Sequence, residues 1–265
     1  MTYCVAIQVD EGIVFGADTR TNAGVDYVTS YRKLHVFAPA QDRSFVLLAA
    51  GSLATTRELI DRIERDLAFP PNGASLSTAG RVFEAAEYVG RLSREIQEKH
   101  GAALARSGVT GEVTLILGGQ IRGGPPELRL IYPQGNYIGV SDETPYLQIG
   151  ETKYGKPVLD RLVRKSLPLS EAAKLALVSM DATVRSNITV AAPFDFALYP
   201  TDHFAPPTPF RIESDSPYYH EVREAWQRGF AESFAKLPAF PAPLPSTAPP
   251  MDPSANFVPN PEQPS

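Results

Sequence analysis

Two blocks of strand-like sequence, each followed by a pair of helical segments, constrain what this chain of 265 residues can fold into. Tyr3 to Val9 and Ile13 to Asp18 are rich in β-branched and aromatic residues, and Asp10-Glu11-Gly12 supplies a turn between them, so the chain opens as a hairpin. That hairpin puts Thr2 and Asp18 at the same end of neighbouring strands. Thr19 to Ser30 is polar, contains Gly24, and reads as a loop; Leu34 to Phe37 and Phe45 to Ala50 are two further strands. After Gly51-Ser52 the apolar period lengthens, and Leu59, Ile60, Ile63 and Leu67 share one helical stripe among charged neighbours. Pro70-Pro71-Asn72-Gly73 ends that helix. A second, capped by Ser75 or Ser77, carries Val82, Phe83, Ala86, Val89, Ser93 and Ile96 on one face and is expected to stop at Gly101.

The pattern then repeats. Strands are expected over Val113 to Leu117, Leu128 to Tyr132, Tyr137 to Val140 and Tyr146 to Ile149, with Gly118-Gly119 and Gly123-Gly124 as hairpin turns. Tyr154 to Lys165 and Ser170 to Arg185 read as helices, and Ile188 to Ala192 and Phe194 to Tyr199 close the block as strands. Strands grouped apart from helices, rather than alternating with them, predict an α+β fold: two sheets face to face with helices outside, a four-layer αββα sandwich. Glu221 to Ala235 forms one more amphipathic helix through Val222, Trp226, Phe230 and Phe234. From Lys236 onward ten of the 25 prolines fall within thirty residues, a composition that builds no packed core. The expected organisation is one domain over 2–235, with a C-terminal helix, and a Pro-rich disordered tail over 236–265.

A net charge of −5 provides no basic footprint, so nucleic acid is not an expected partner. No apolar run approaches the roughly 20 residues of a membrane helix. The four histidines, His35, His100, His203 and His220, are scattered without metal-ligand spacing, and neither glycine pair is followed by the Gly-Lys-Ser/Thr of a phosphate loop, so neither metal nor cofactor is expected. The single cysteine, Cys4, allows no internal disulfide, fits a reducing cytoplasm, and reads as a small buried strand residue.

Thr2 carries the chemistry. Once Met1 is removed, one residue bears both a hydroxyl and a free α-amine, and a Thr hydroxyl is a poor nucleophile unless such a base stands beside it. An unperturbed α-amine titrates at about 7.7–8.0, leaving roughly a tenth or more as free base at neutral pH.

Thr2, Gly16-Ala17-Asp18-Thr19-Arg20, Ala23-Gly24, Arg32-Lys33 and Ala50-Gly51, in that order, resemble the proteasome β-subunit family. With Tyr3-Cys4-Val5-Ala6-Ile7 and Thr21-Asn22-Ala23-Gly24-Val25-Asp26 the chain is most similar to the bacterial proteasome-related group called Anbu, the ancestral β-subunit. The resemblance is densest over residues 2–55 and continues in pattern to about 199. It implies an N-terminal-nucleophile hydrolase fold, a homo-oligomer of ring or helical form, and a peptide or amide substrate. Thr2 is then the nucleophile, Lys33 the cation that favours its deprotonation, Asp18 the carboxylate that holds Lys33, and Gly51 the backbone donor to the oxyanion. Such a donor is worth about 3–4 kcal/mol in other acyl-transfer enzymes. Arg20 is expected to pair with a carboxylate near Asp18. A separate ATP-dependent partner would have to supply unfolding, because no nucleotide-binding motif is present.

The second half departs from the family pattern. Gly150-Glu151-Thr152-Lys153-Tyr154-Gly155 stands where proteasome subunits carry Gly-Ser-Gly, and Arg185-Ser186-Asn187-Ile188-Thr189-Val190 where they carry Arg-Asp-x-x-Ser-Gly. Ser186 and Thr189 are the candidate hydroxyls there, Glu151 the candidate carboxylate, and Asp181 reads as a helix residue. Two other readings accompany the peptidase: an amidase for small amides or acyl conjugates, and a scaffold or binding assembly with feeble chemistry.

Overall fold

The structure is a computed structural model that describes residues 2–22 and 28–241. The chain divides into two units, Met1–Tyr219 and His220–Ser265. In chain order the strands are β1 (Tyr3–Val9), β2 (Gly12–Asp18), β3 (Arg20–Asn22), β4 (Val28–Ser30), β5 (Leu34–Ala40), β6 (Arg43–Gly51), β7 (Val113–Ile121), β8 (Glu127–Ile131), β9 (Tyr137–Gly139), β10 (Tyr146–Gly150), β11 (Phe194–Pro200) and β12 (Phe210–Ile212). The helices are α1 (Leu53–Ala68), α2 (Val82–Arg106), α3 (Lys156–Leu162), α4 (Leu169–Ser186) and α5 (Pro217–Ala235).

Two five-stranded antiparallel sheets, ordered β10-β1-β2-β11-β12 and β5-β6-β7-β8-β9, stack face to face. Alternation along each strand sends one set of side chains between the sheets and the other towards helices. On β1 and β2 the inter-sheet set is Cys4, Ala6, Ile13, Phe15 and Ala17, meeting Leu34, Val46, Leu48, Ala50 and Ile116 from the opposite sheet. The outer face of the second sheet packs Phe45, Leu47 and Leu117 against Leu59, Ile63, Val89 and Ile96 of α1 and α2. The outer face of the first meets α4, where the Tyr3 hydroxyl bonds Ser179 at 2.6 Å. Both faces of both sheets are thereby covered, and the four-layer αββα sandwich expected from the element order is the fold.

Several local expectations are corrected. Gly118 and Gly119 are not a turn but the middle of β7, opposite Val46 and Phe45. They are glycines because of crowding: a Cβ on Gly118 would lie 2.6 Å from the Phe15 ring, and one on Gly119 would lie 2.2 Å from the Ser44 carbonyl. Gly123 and Gly124 do form the β7–β8 turn, with Gly123 at φ +87. Helix α2 continues through Gly101 to Arg106, because Ala102, Ala103, Leu104 and Ala105 are strong helix formers and outweigh one glycine. Its start lies at Arg81 rather than Ser75 or Ser77; the Ser75 hydroxyl instead closes a local turn by accepting from Thr78 N. The expected loop over 19–30 contains a two-stranded ribbon, β3 with β4, in which Arg20 faces Ser30. Residues 188–192 are not a strand: Val190 N donates to Asn187 O, and Thr189 N to Asn187 Oδ1, so the chain turns there.

In the second unit, the rings of Trp226 and Phe230 meet edge to face at 5.0 Å, and Phe230 and Phe234 are exposed. Most of the expected tail, from 242 on, lies outside the described residues.

The crowding at β7 is testable. Gly119→Ala should destabilise the protein by about 1–3 kcal/mol, the usual range for forced overpacking. The contact is with backbone, which cannot swing aside, and the urea midpoint should fall without a change in slope.

Candidate active site

The site is assembled at the end of the first sheet where β1 begins and β2 finishes. The last pair of that hairpin is Cys4 with Ala17, which leaves Tyr3, not Thr2, level with Asp18. Tyr3 N donates to Asp18 Oδ1 at 2.8 Å. Tyr3 is fully buried, and its hydroxyl bonds Ser179 of α4 and, at 2.5 Å, Gln148 of β10. The residue following Thr2 is thus tied to three elements, while Thr2 itself remains half-buried.

Lys33 comes from the other sheet, one residue before β5, where Ala49 N donates to its carbonyl. Its ammonium reaches Asp18 Oδ1 at 2.8 Å and the Arg20 carbonyl at 2.6 Å. Asp18 is fully buried and Lys33 is 7% exposed. Burial pushes the Asp18 carboxyl above its usual range, against the opposing pull of the Lys33 ammonium and the Tyr3 amide. One carboxylate oxygen takes both donors, and Oδ2 has no hydrogen-bond partner among the described residues.

Gly51 ends β6 at φ +123, exposed, and a Cβ there would lie 2.3 Å from the Glu112 carbonyl. Ser52 follows as the N-cap of α1, its hydroxyl accepting from Thr55 N. The exposed glycine backbone is therefore succeeded immediately by the electropositive end of a 16-residue helix.

The opposite flank of Thr2 is built from β10 and the turn after α4. Glu151 N donates to the Thr2 carbonyl at 2.7 Å. Gly150 precedes it at φ +84, and a Cβ there would stand 1.9 Å from that same carbonyl, so only glycine admits this approach. Glu151 is 9% exposed, and its carboxylate accepts from Asn187 Nδ2 at 3.0 Å and from Lys153 N at 3.3 Å. Asn187 Oδ1 in turn accepts from Thr189 Oγ1 at 2.6 Å.

Sequence reasoning placed several groups differently. Arg20 has no carboxylate partner among the described residues: its guanidinium donates to the Ile188 carbonyl at 2.9 Å, and it is its backbone that meets Lys33. Ser186 is the exposed last residue of α4, and the next residue, Asn187, takes its place at Glu151. Asn187 was missed. The signal was Asn-Ile-Thr directly after a helix, since Asn readily captures backbone donors two residues ahead. Asp181 lies in α4, buried, and accepts from Tyr219. Cys4 is buried, and burial pushes its thiol well above the ordinary range, which removes it as a nucleophile. Ala23 to Tyr27, including part of the quoted motif, lie outside the described residues. No cluster of three or more His, Cys, Asp or Glu residues suited to a metal exists among the described residues, and none of their helices is long and apolar enough to cross a membrane.

A hairpin end that begins behind Thr2, a buried Lys–Asp pair and a positive-φ glycine at a strand-to-helix junction sit within a fold of the N-terminal-nucleophile type. The family model described as proteasome subunit matches residues 2–196, and the chain belongs to that family, within its Anbu (ancestral β-subunit) group. It is similar to the Anbu (Gly-1) mutant from Hyphomicrobium sp. strain MC1, at 41% identity, covering 91% of this chain and 100% of that one with a TM-score of 0.85. Anbu from Yersinia bercovieri matches at 40% identity over 90% and 98% of the two chains, with a TM-score of 0.82. The helical assembly of the Anbu complex from Pseudomonas aeruginosa matches at 39% identity over 91% and 98%, with a TM-score of 0.84. No curated protein matches.

Removing the Lys33 ammonium while keeping its length, as in Lys33→Met, leaves Asp18 buried without its cation. Breaking such a pair costs about 3–5 kcal/mol. Asp18 has a folded-state pKa raised above its unfolded value of about 3.9. The variant's deficit against the parent should therefore be largest at neutral pH. It should shrink as pH falls through the raised value, where Asp18 takes up a proton and no longer needs a partner. Thermal melts of both proteins from pH 7 to pH 4 measure the convergence.

Proposed function

We propose that the protein is a threonine-type hydrolase of peptide or amide bonds, acting in the cytoplasm as a homo-oligomer after loss of Met1. The observation that carries this reading is the Lys33–Asp18 pair, buried directly behind Thr2 and bonded to the amide of the next residue. A buried ion pair adds little net stability relative to an apolar replacement, so its position at the chain start favours a chemical role.

In the proposed reaction the freed Thr2 amine takes the hydroxyl proton as Oγ attacks the substrate carbonyl carbon. The negative charge that forms on the carbonyl oxygen is met by the Gly51 N–H. Collapse breaks the C–N bond, the proton passes from the amine to the leaving nitrogen, and an ester remains on Thr2. Water then attacks that ester, giving one proton to the same amine; as the C–Oγ bond breaks, the amine returns that proton to Oγ, which releases the acid and restores Thr2. Lys33 lowers the basicity of the neighbouring amine, because one cation disfavours another, and stabilises the developing alkoxide. Asp18 holds Lys33 in place. Large substrates would be supplied by a separate ATP-dependent partner.

Treatment of the full-length protein with a β-lactone or epoxyketone should give a single adduct on Thr2 of a chain that lacks Met1, and Thr2→Ala should abolish it. Intact-mass and peptide mass spectrometry read both events; retained Met1, or an adduct elsewhere, overturns the assignment. Light scattering at micromolar concentration should report a mass several times that of one chain, whereas a stable monomer would contradict the assembly.

A further inference from the structure

The Glu151 carboxylate has no counterpart in the serine-and-aspartate pattern that the family implies, yet the chain has built a support around it. Three observations point to Thr2 as its object. Glu151 N is already bonded to the Thr2 carbonyl, so the two residues are neighbours through the backbone. Gly150 carries the positive φ that lets the chain come this close and then turn, which places residue 151 at the mouth of the site. The side chain is held rather than trailing: Glu151 as a residue is 9% exposed, with Asn187 Nδ2 on Oε2 and Lys153 N on Oε1.

Asn187 is fixed in its turn. Its Oδ1 accepts from both Thr189 N and Thr189 Oγ1, which leaves the amide nitrogen to face Glu151 and settles the orientation of the side chain. The same turn is held to the far side of the site, since Ile188 O accepts from Arg20 and Pro193 O accepts from Thr19 N and Oγ1. Thr189→Asn187→Glu151 is therefore a hydrogen-bonded series that runs from the turn after α4 to the carboxylate of the residue whose backbone N–H holds the Thr2 carbonyl. A carboxylate with two donors retains acceptor capacity for a third.

We propose that Glu151, oriented by Asn187 and Thr189, is the positioning residue for the freed Thr2 amine, accepting one of its N–H bonds so that the nitrogen lone pair faces Thr2 Oγ. This rests on the proposed role of Thr2. Glu151 takes no proton in the reaction; the proton moves from Oγ to the amine nitrogen, and the carboxylate holds the ammonium that results. Among the described residues, the charged groups bonded to the elements that flank Thr2 are Lys33 and Asp18 on one side and Glu151 on the other, with the Arg20 guanidinium on the Ile188 carbonyl. Lys33 pulls the amine towards the free base and Glu151 opposes it, so the pair sets how strong a base remains once the proton has been taken.

The test measures the amine directly and does not depend on turnover. Full-length chains processed to begin at Thr2 are reacted with trace acetic anhydride across pH 5 to 10, and the fraction acylated at the α-amine is read by peptide mass spectrometry. Glu151→Gln is nearly isosteric and can still accept from Asn187. It should lower the midpoint of amine reactivity by about 0.5–1 pH unit, the effect of losing one nearby opposite charge. Glu151→Asp retains the charge and should keep most of the parent value. A midpoint unchanged in Glu151→Gln overturns the proposal, as does an equal shift in both variants, because a purely structural tie would alter melting temperature and not the amine. The outcome is independent of the adduct on Thr2: if the midpoint moves and no inhibitor adduct forms, the hydrolase reading fails while the positioning of the amine by Glu151 stands.

Discussion

One peptide unit, between Thr2 and Tyr3, is the element on which the geometry of the site depends. Its carbonyl accepts from Glu151 N, and its N–H donates to the Asp18 carboxylate. The two partners arrive from strands on either side of β1: β10, which ends just before Glu151, and β2, which ends at Asp18. A chain terminus ordinarily frays. Here the peptide plane between Thr2 and Tyr3 is bonded at both its polar groups, and the Tyr3 side chain behind it is buried against Ser179 and Gln148. Whatever Thr2 does, it does from a fixed backbone.

The same peptide explains why a buried carboxylate is tolerated. Asp18 receives an amide and an ammonium on one oxygen, both delivered by elements whose position is set by sheet packing. Lys33 lies at the start of β5 in the opposite sheet, so the ion pair spans the two sheets at their common end. Desolvation still prevails over these donors and raises the carboxyl above its ordinary range. Such a pair is a weak source of net stability, and in the proposed function it serves instead to hold a cation near Thr2.

The fold was legible because strand and helix periods alternate in blocks; Asp18, Lys33 and Gly51 were singled out by the family resemblance, and they lie at or beside strand ends. What sequence reasoning missed was decided by tertiary crowding or by turn chemistry. Gly118-Gly119 looks like a turn until Phe15 and the Ser44 carbonyl are placed above it. Pairing Thr2 with Asp18 is off by one residue, and only the register Cys4 with Ala17 reveals it. Residues 188–192 have the β-branched composition of a strand, but Asn187 captures Thr189 and bends the chain. Asn187 itself was passed over in favour of Ser186, because a hydroxyl was sought where an amide does the work of orientation.

These differences are distributed unevenly, and for a physical reason. On one flank Asp18, Lys33 and Gly51 are held by the register of two packed sheets, where a one-residue change would reverse every side chain on the strand. On the other, Glu151 and Asn187 lie in a post-strand turn and a post-helix turn, whose backbones are tied down by Thr2, Lys153, Arg20 and Thr19. Turns accept new side chains without disturbing the core provided their backbone hydrogen bonds persist. Departure from the family pattern is therefore expected on the turn side and not on the sheet side, and that is where it occurs. In the proposed hydrolase, a site divided in this way keeps its nucleophile and cation fixed while the turn-side groups are free to be rebuilt from different residue types, here a carboxylate, an amide and a hydroxyl in series.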